Sequence, residues 1–116
     1  MAAPLLECSF LIPLKRDTNL SDGQPHAPER WEWLYDELFD RFRGVTFPPL
    51  TYLGVYEDPD THSRVRDESK KYILAIEDSQ LDELRQLLSA ACVLFEQKCT
   101  YLSIAGRVEF VGPPSS

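Results

Sequence analysis

At 116 residues the chain has room for one domain, and 43% hydrophobic with 27% charged residues keeps it outside the range of disordered sequences. A formal charge of −7 and a pI near 4.7 repel phosphate backbones and anionic lipid, which argues against nucleic acid and membrane surfaces as partners. Met1 to Leu14 has no basic leader, and its apolar run is too short to span a bilayer, so the chain reads as a soluble cytoplasmic protein.

Leu5 to Lys15 alternates as a strand, with Cys8, Phe10, Ile12 and Leu14 on one face and Ser9, Leu11, Pro13 and Lys15 on the other. Pro13 cannot donate to a ladder, so regular pairing frays there. Arg16 to Ala27 reads as a long loop in which His26 is solvated. Pro28 suits a helix start and Gly44 its stop. Between them Trp31, Leu34, Tyr35, Leu38, Phe39 and Phe42 form one apolar stripe, with Trp33 at its packed edge.

After Pro48-Pro49, Thr51 to Tyr56 and Lys71 to Ile76 read as two strands joined by a charged loop, Glu57 to Lys70. Ser79 as N-cap, with Asp82 three residues on, opens a second helix that buries Leu81, Leu84, Leu87, Leu88, Ala91, Leu94 and Phe95. Tyr101 to Val111 reads as one last strand, with Gly106 as a bulge or close approach. Residues 1–112 then form one domain, and 113–116 a disordered tail. Cys8, Cys92 and Cys99 are odd in number and lack CxxC spacing, which suits buried small apolar residues better than ligands or disulfides.

The order strand, helix, strand, strand, helix, strand is the βαββαβ pattern of a ferredoxin-like α+β sandwich. It predicts a four-stranded antiparallel sheet of order 4-1-3-2 with both helices on one face. Phe10, Ile12, Leu53, Val55, Tyr72, Leu74, Ile104 and Val108 belong to the covered face in this reading. Ser9, Leu11, Pro13, Tyr52, Gly54, Tyr56, Ile73, Ala75, Tyr101, Ser103, Ala105 and Arg107 belong to the open one. That open set is too apolar for a solvated surface and too small in its side chains for a packed core, as in a pocket or a homodimer interface.

Several short motifs add a resemblance. Arg41-Phe42-Arg43-Gly44-Val45-Thr46 closes a Trp-rich helix, and Gly54-Val55-Tyr56 lies in a strand. Arg66-Asp67-Glu68-Ser69-Lys70 enters a strand, and Phe95-Glu96-Gln97 ends a helix. Together they are similar to an uncharacterised bacterial family of small ferredoxin-like proteins. More distantly the layout resembles dimeric α+β-barrel proteins, whose open sheet faces meet around a cavity and which include cofactor-free enzymes and ligand sensors. Enzymes of that kind usually place a His or Asn in the cavity. The open face predicted here has no histidine, which weakens an enzymatic reading.

Three groups of residues could carry chemistry. Tyr52, Tyr56, Tyr101 and Arg107 would line a ligand pocket on the open face, each phenol offering an apolar ring and one polar tip. Arg64, Arg66 and Lys70 would form an anion-binding rim, since guanidinium forks match carboxylates. Asp58, Asp60 and His62 recur at every second residue but suit a solvated turn better than a metal site, because nothing orients them. No Gly-rich phosphate loop or other cofactor motif is present, and neither cofactor nor metal is expected. The sequence thus points first to a binding domain that self-associates through its open sheet face. The alternative is a dimeric barrel enzyme or sensor for a small apolar or aromatic molecule. An RNA-binding sheet built on the same tyrosines is disfavoured by the acidic charge.

Overall fold

The structure is a computed structural model, and it describes residues 4–115. Its elements are β1 (Leu6–Pro13), α1 (Pro28–Phe42), β2 (Tyr52–Glu57), β3 (Arg64–Ile76), a 3-10 turn (Asp78–Gln80), α2 (Leu81–Leu94), β4 (Thr100–Ile104) and β5 (Arg107–Val111). All strand pairs are antiparallel, in the order β2-β3-β1-β4-β5. No helix is long and apolar enough to cross a membrane.

The four-stranded ferredoxin-like sheet is therefore corrected to five strands. The expected last strand is a hairpin, reversed at Ala105-Gly106, where φ is 48° and 88°. Two successive positive φ values give a two-residue turn whose twist matches that of the flanking strands. The reversal pairs Ile104 with Arg107 and Ser103 with Val108, which exchanges the expected facing of β5. Arg107 lies on the helix side, and Val108 and Phe110 lie on the open face.

The core forms where Cys8, Phe10 and Ile12 of β1 meet Tyr72, Leu74 and Ile76 of β3, Leu102 of β4, and the buried sides of both helices. Phe10 is the register point, opposite Tyr72 on one side and Leu102 on the other, and its ring stacks on Tyr72 at 5.1 Å between centroids. From α1 only Leu34 and Leu38 are fully buried, while Trp31, Trp33 and Phe42 pack at the margin. The expected stripe is narrower than its spacing suggests, since Tyr35 and Phe39 are half-exposed. Arg43, in the left-handed region at φ 63°, caps α1 in place of Gly44, donating its N–H to Phe39. Glu77 and Gln80, not Ser79 and Asp82, make the capping box ahead of α2. Arg85 then ties α2 to β5, its Nε 2.6 Å from Glu109.

Strand β3 is longer than its apolar half implies. β1 pairs with it only from Ser69 to Ile76, and β2 only from Arg64 to Ser69. Arg64 to Glu68 is therefore strand, not loop, and with β2 makes a two-stranded arm projecting past β1. Leu53 and Val55, expected under the helices, lie beyond their reach and are 84% and 64% exposed.

His26, expected in solvent, is 7% exposed. Its Nε2–H donates to the Pro13 carbonyl at 2.8 Å, and its ring meets Trp31 and Phe95 edge-on. Burial pushes its pKa below the ordinary value of 6.5, and the Arg16 charge adds to this. A base with a depressed folded pKa contributes its full stability above the unfolded pKa and loses it as pH falls through the range below. Thermal unfolding should therefore show a smaller drop in Tm from pH 7.5 to pH 5 for His26→Leu than for the wild type; equal drops would contradict the assignment.

Candidate binding site on the open sheet face

Alternation along the strands brings Leu11 and Pro13 of β1, Gly54 and Tyr56 of β2, Asp67 and Ser69 of β3, Tyr101 of β4 and Phe110 of β5 to the face away from the helices. There they line a cavity of about 690 Å³. Asp17 of the β1–α1 loop, the turn after β2 and the link Gln97-Lys98-Cys99 complete its wall. The volume is that of a site for a small organic molecule. Its walls come from this chain's own strands and loops.

Tyr101 and Phe110 make an edge-to-face pair at 5.9 Å, giving one end of the cavity an aromatic wall. Toward the other end stands Asp67, which has no hydrogen-bond or ion-pair partner among the described residues. Burial alone raises its pKa. It lies directly against the main chain of its cross-strand partner Gly54, where an added Cβ would fall 2.8 Å from Oδ1. Glycine at 54 thus makes room for this carboxylate. Burial first, and then the negative charges of Asp67 and Asp17, pushes the Tyr56 phenol up to about 12, so it stays a neutral donor. The Cys99 thiol is pushed up by burial and by Asp17, with Lys98 opposing, and remains protonated at neutral pH. Cys99 is exposed, unlike the buried Cys8 and Cys92, contrary to the expectation for all three.

Asp58 anchors the wall. Its carboxylate accepts main-chain N–H groups of Asp60 and Thr61 at 2.8 and 3.0 Å, the Asn19 side-chain amide at 2.8 Å and Lys98 Nζ at 3.1 Å. These bonds, led by that from Thr61, hold its pKa well below the usual carboxylate range. The residue is 1% exposed, so it is a structural node and not the solvated turn residue expected. Asp60 pairs with the same lysine at 2.7 Å, and His62 turns to Glu57 at 3.4 Å, so the three candidate ligands do not converge.

Of the four residues expected to bind a ligand on the open face, Tyr56 and Tyr101 line the cavity. Tyr52 sits on the same face outside it, with Lys71 Nζ 5.3 Å from its ring centroid. Arg107 is on the opposite face because of the hairpin. The basic residues are dispersed as well. Arg64 stands opposite Glu57 in the ladder at the end of the arm, Arg66 lines a smaller hollow beside the main cavity, and Lys70 Nζ lies 4.1 Å from the Trp31 ring centroid. Sequence reasoning missed Asp67 and Phe110. The register of Gly54 opposite Asp67 could have revealed the first, and the Ala-Gly turn the second.

Neither a family model nor a curated protein sequence matches the chain, so the bacterial ferredoxin-like resemblance gains no support. Two solved structures do match in shape. One is a phage SAM lyase in complex with S-methyl-5′-thioadenosine, at TM-score 0.69 and 15% identity, covering 97% of this chain and 92% of that one. The other is a phage SAM lyase in the apo state, at TM-score 0.60 and 16% identity, covering 100% and 95%. This chain shares their fold.

The contact at Gly54 yields a local prediction. Gly54→Ala should displace the Asp67 carboxylate while leaving the core intact, so the Asp67 pKa followed by carbon-detected NMR should move with little change in Tm. An unmoved Asp67 titration would show that the close approach does not constrain it.

Proposed function

We propose that the open-face cavity binds an adenosyl thioether and its sulfonium parent, S-adenosylmethionine, and that the chain is a lyase acting on the sulfonium. The observation that carries this reading is the unpaired, half-buried Asp67 carboxylate in a cavity whose lining is mostly apolar, with Tyr101 and Phe110 as an aromatic wall. A sulfonium is a soft cation with apolar substituents. It gains from a carboxylate in reduced dielectric and from aromatic faces, as other organic cations do. A neutral thioether keeps the apolar and aromatic contacts and loses only the charge term. The shared fold with phage SAM lyase supports the same ligand class.

In the proposed reaction the bond between sulfur and the four-carbon amino acid chain breaks, and its electron pair returns to sulfur. The product is neutral S-methyl-5′-thioadenosine; the fragment's own carboxylate oxygen forms the new bond to the carbon that loses sulfur, so the four-carbon piece leaves as a lactone without taking up water. Tyr56, held as a phenol, would donate a hydrogen bond to the substrate. Asp67 would hold the sulfonium until its charge is lost.

Calorimetry on the whole chain tests the ligand, and chromatographic detection of S-methyl-5′-thioadenosine tests the reaction. Asp67→Asn should weaken S-adenosylmethionine binding about tenfold or more, on the scale of one charge-assisted contact, and S-methyl-5′-thioadenosine binding much less. Because the Asp67 pKa is raised, sulfonium affinity should climb as pH rises through the range above the ordinary carboxylate value, while thioether affinity stays flat. Equal losses for both ligands, or no binding of either to the wild type, would refute the proposal.

A further inference from the structure

The cavity does not end at Asp67. A second hollow of about 330 Å³ adjoins it, and the two share Asp17, Tyr56 and Asp67 on their walls. It exists because β1 leaves β3 at Pro13. Ladder pairing stops at Pro13 opposite Ser69, and one further main-chain bond runs from Leu14 N–H to the Glu68 carbonyl at 2.8 Å. Main-chain groups of successive residues point to alternate sides of an antiparallel strand. The next residue directed like Glu68 is Arg66, and no strand lies there to pair with it.

Lys15 and Arg66 line this hollow, and neither side chain has an ion-pair or hydrogen-bond partner among the described residues. Asp17 stands where the two chambers meet, with Oδ1 fixed by the Asn19 N–H at 2.7 Å. The second chamber thus presents two cations and three carboxylates: Asp67 at the junction, Glu68, which accepts the Thr51 hydroxyl, and Asp17. With Glu68 engaged and Asp67 turned to the junction, Lys15, Arg66 and Asp17 are left as the complement of a zwitterionic α-amino acid. The site has three parts in a row: an aromatic chamber, a junction with the unpartnered Asp67 carboxylate and a chamber of mixed charge. S-adenosylmethionine also has three: a nucleoside, a sulfonium and an α-amino acid.

We infer that the smaller hollow is the subsite for the α-amino acid end of the ligand, with the carboxylate on Lys15 and Arg66 and the ammonium on Asp17. This rests on the ligand class proposed above. It fixes the polarity of binding, with the nucleoside against Tyr101 and Phe110 and the reactive sulfur over Asp67.

Two uncleavable probes separate this inference from the reading beneath it. S-adenosylhomocysteine carries the amino acid end and S-methyl-5′-thioadenosine lacks it; both are titrated into the wild type and the double variant Lys15→Gln/Arg66→Gln. The substituted side chains are exposed, and an unchanged Tm verifies that the variant folds. S-adenosylhomocysteine should bind the variant about tenfold more weakly, as loss of charge-assisted hydrogen bonds implies, with S-methyl-5′-thioadenosine unchanged. An unchanged affinity for S-adenosylhomocysteine, or an equal loss for both probes, overturns the subsite and leaves the ligand class standing. Failure of the wild type to bind either probe overturns both.

Discussion

The site depends on the carboxylate of Asp58. Three segments with no ladder between them wall the open-face cavity: the loop after β1, the turn after β2 and the link from α2 to β4. Asp58 accepts a bond from each of them, through Asn19, through Asp60 and Thr61, and through Lys98. Gln97 reinforces the joint by donating to the carbonyls of Lys15 and Phe95, both at 2.9 Å. A buried carboxylate is costly unless its lone pairs are filled, so the segments are held together by the requirement that Asp58 be satisfied. The contrast with Asp67 is instructive. One carboxylate is fully partnered and held strongly acidic, while the other is left without a partner and has its pKa raised by burial. Two identical groups lining one cavity thus reach different states, one fully bonded and one without a partner, from their surroundings alone.

The sheet supplies the floor for that arrangement. Phe10 fixes the register of β1 against β3 and β4, and the strict period of two then determines which residues look away from the helices. Gly54 and Asp67 face each other because β2 pairs with the arm of β3, and the carboxylate can lie flat on the strand because no Cβ opposes it. The departure of β1 at Pro13 opens the second chamber. A proline that cannot donate to a ladder is therefore tied, through local geometry, to the shape of the binding surface.

Much of this was legible in the chain. Binary alternation identifies β1 and β2 and sends Tyr56 and Tyr101 to the open face, and the helical stripes locate α1 and α2. The hairpin at Ala105-Gly106 was hidden because apolar residues continue at even spacing through it, and alternation does not register a reversal of direction. That one turn accounts for the wrong strand count, the misplaced Arg107 and the unseen Phe110. The arm of β3 was hidden by its charges, since Arg64 to Lys70 has the composition of a loop. Asp67 was lost within it as one more surface acid. His26 sits in a segment of loop-like composition, and only the tertiary meeting of Trp31 and Phe95 buries it.

The central claim is that the open sheet face, and no other surface, receives an adenosyl thioether. Amide correlation spectra of the ¹⁵N-labelled chain titrated with S-methyl-5′-thioadenosine test this most directly. The account predicts saturable shifts concentrated at Gly54, Tyr56, Asp67, Ser69, Cys99 and Tyr101. Shifts confined to the helical face, or spectra that do not change at millimolar ligand, would contradict it.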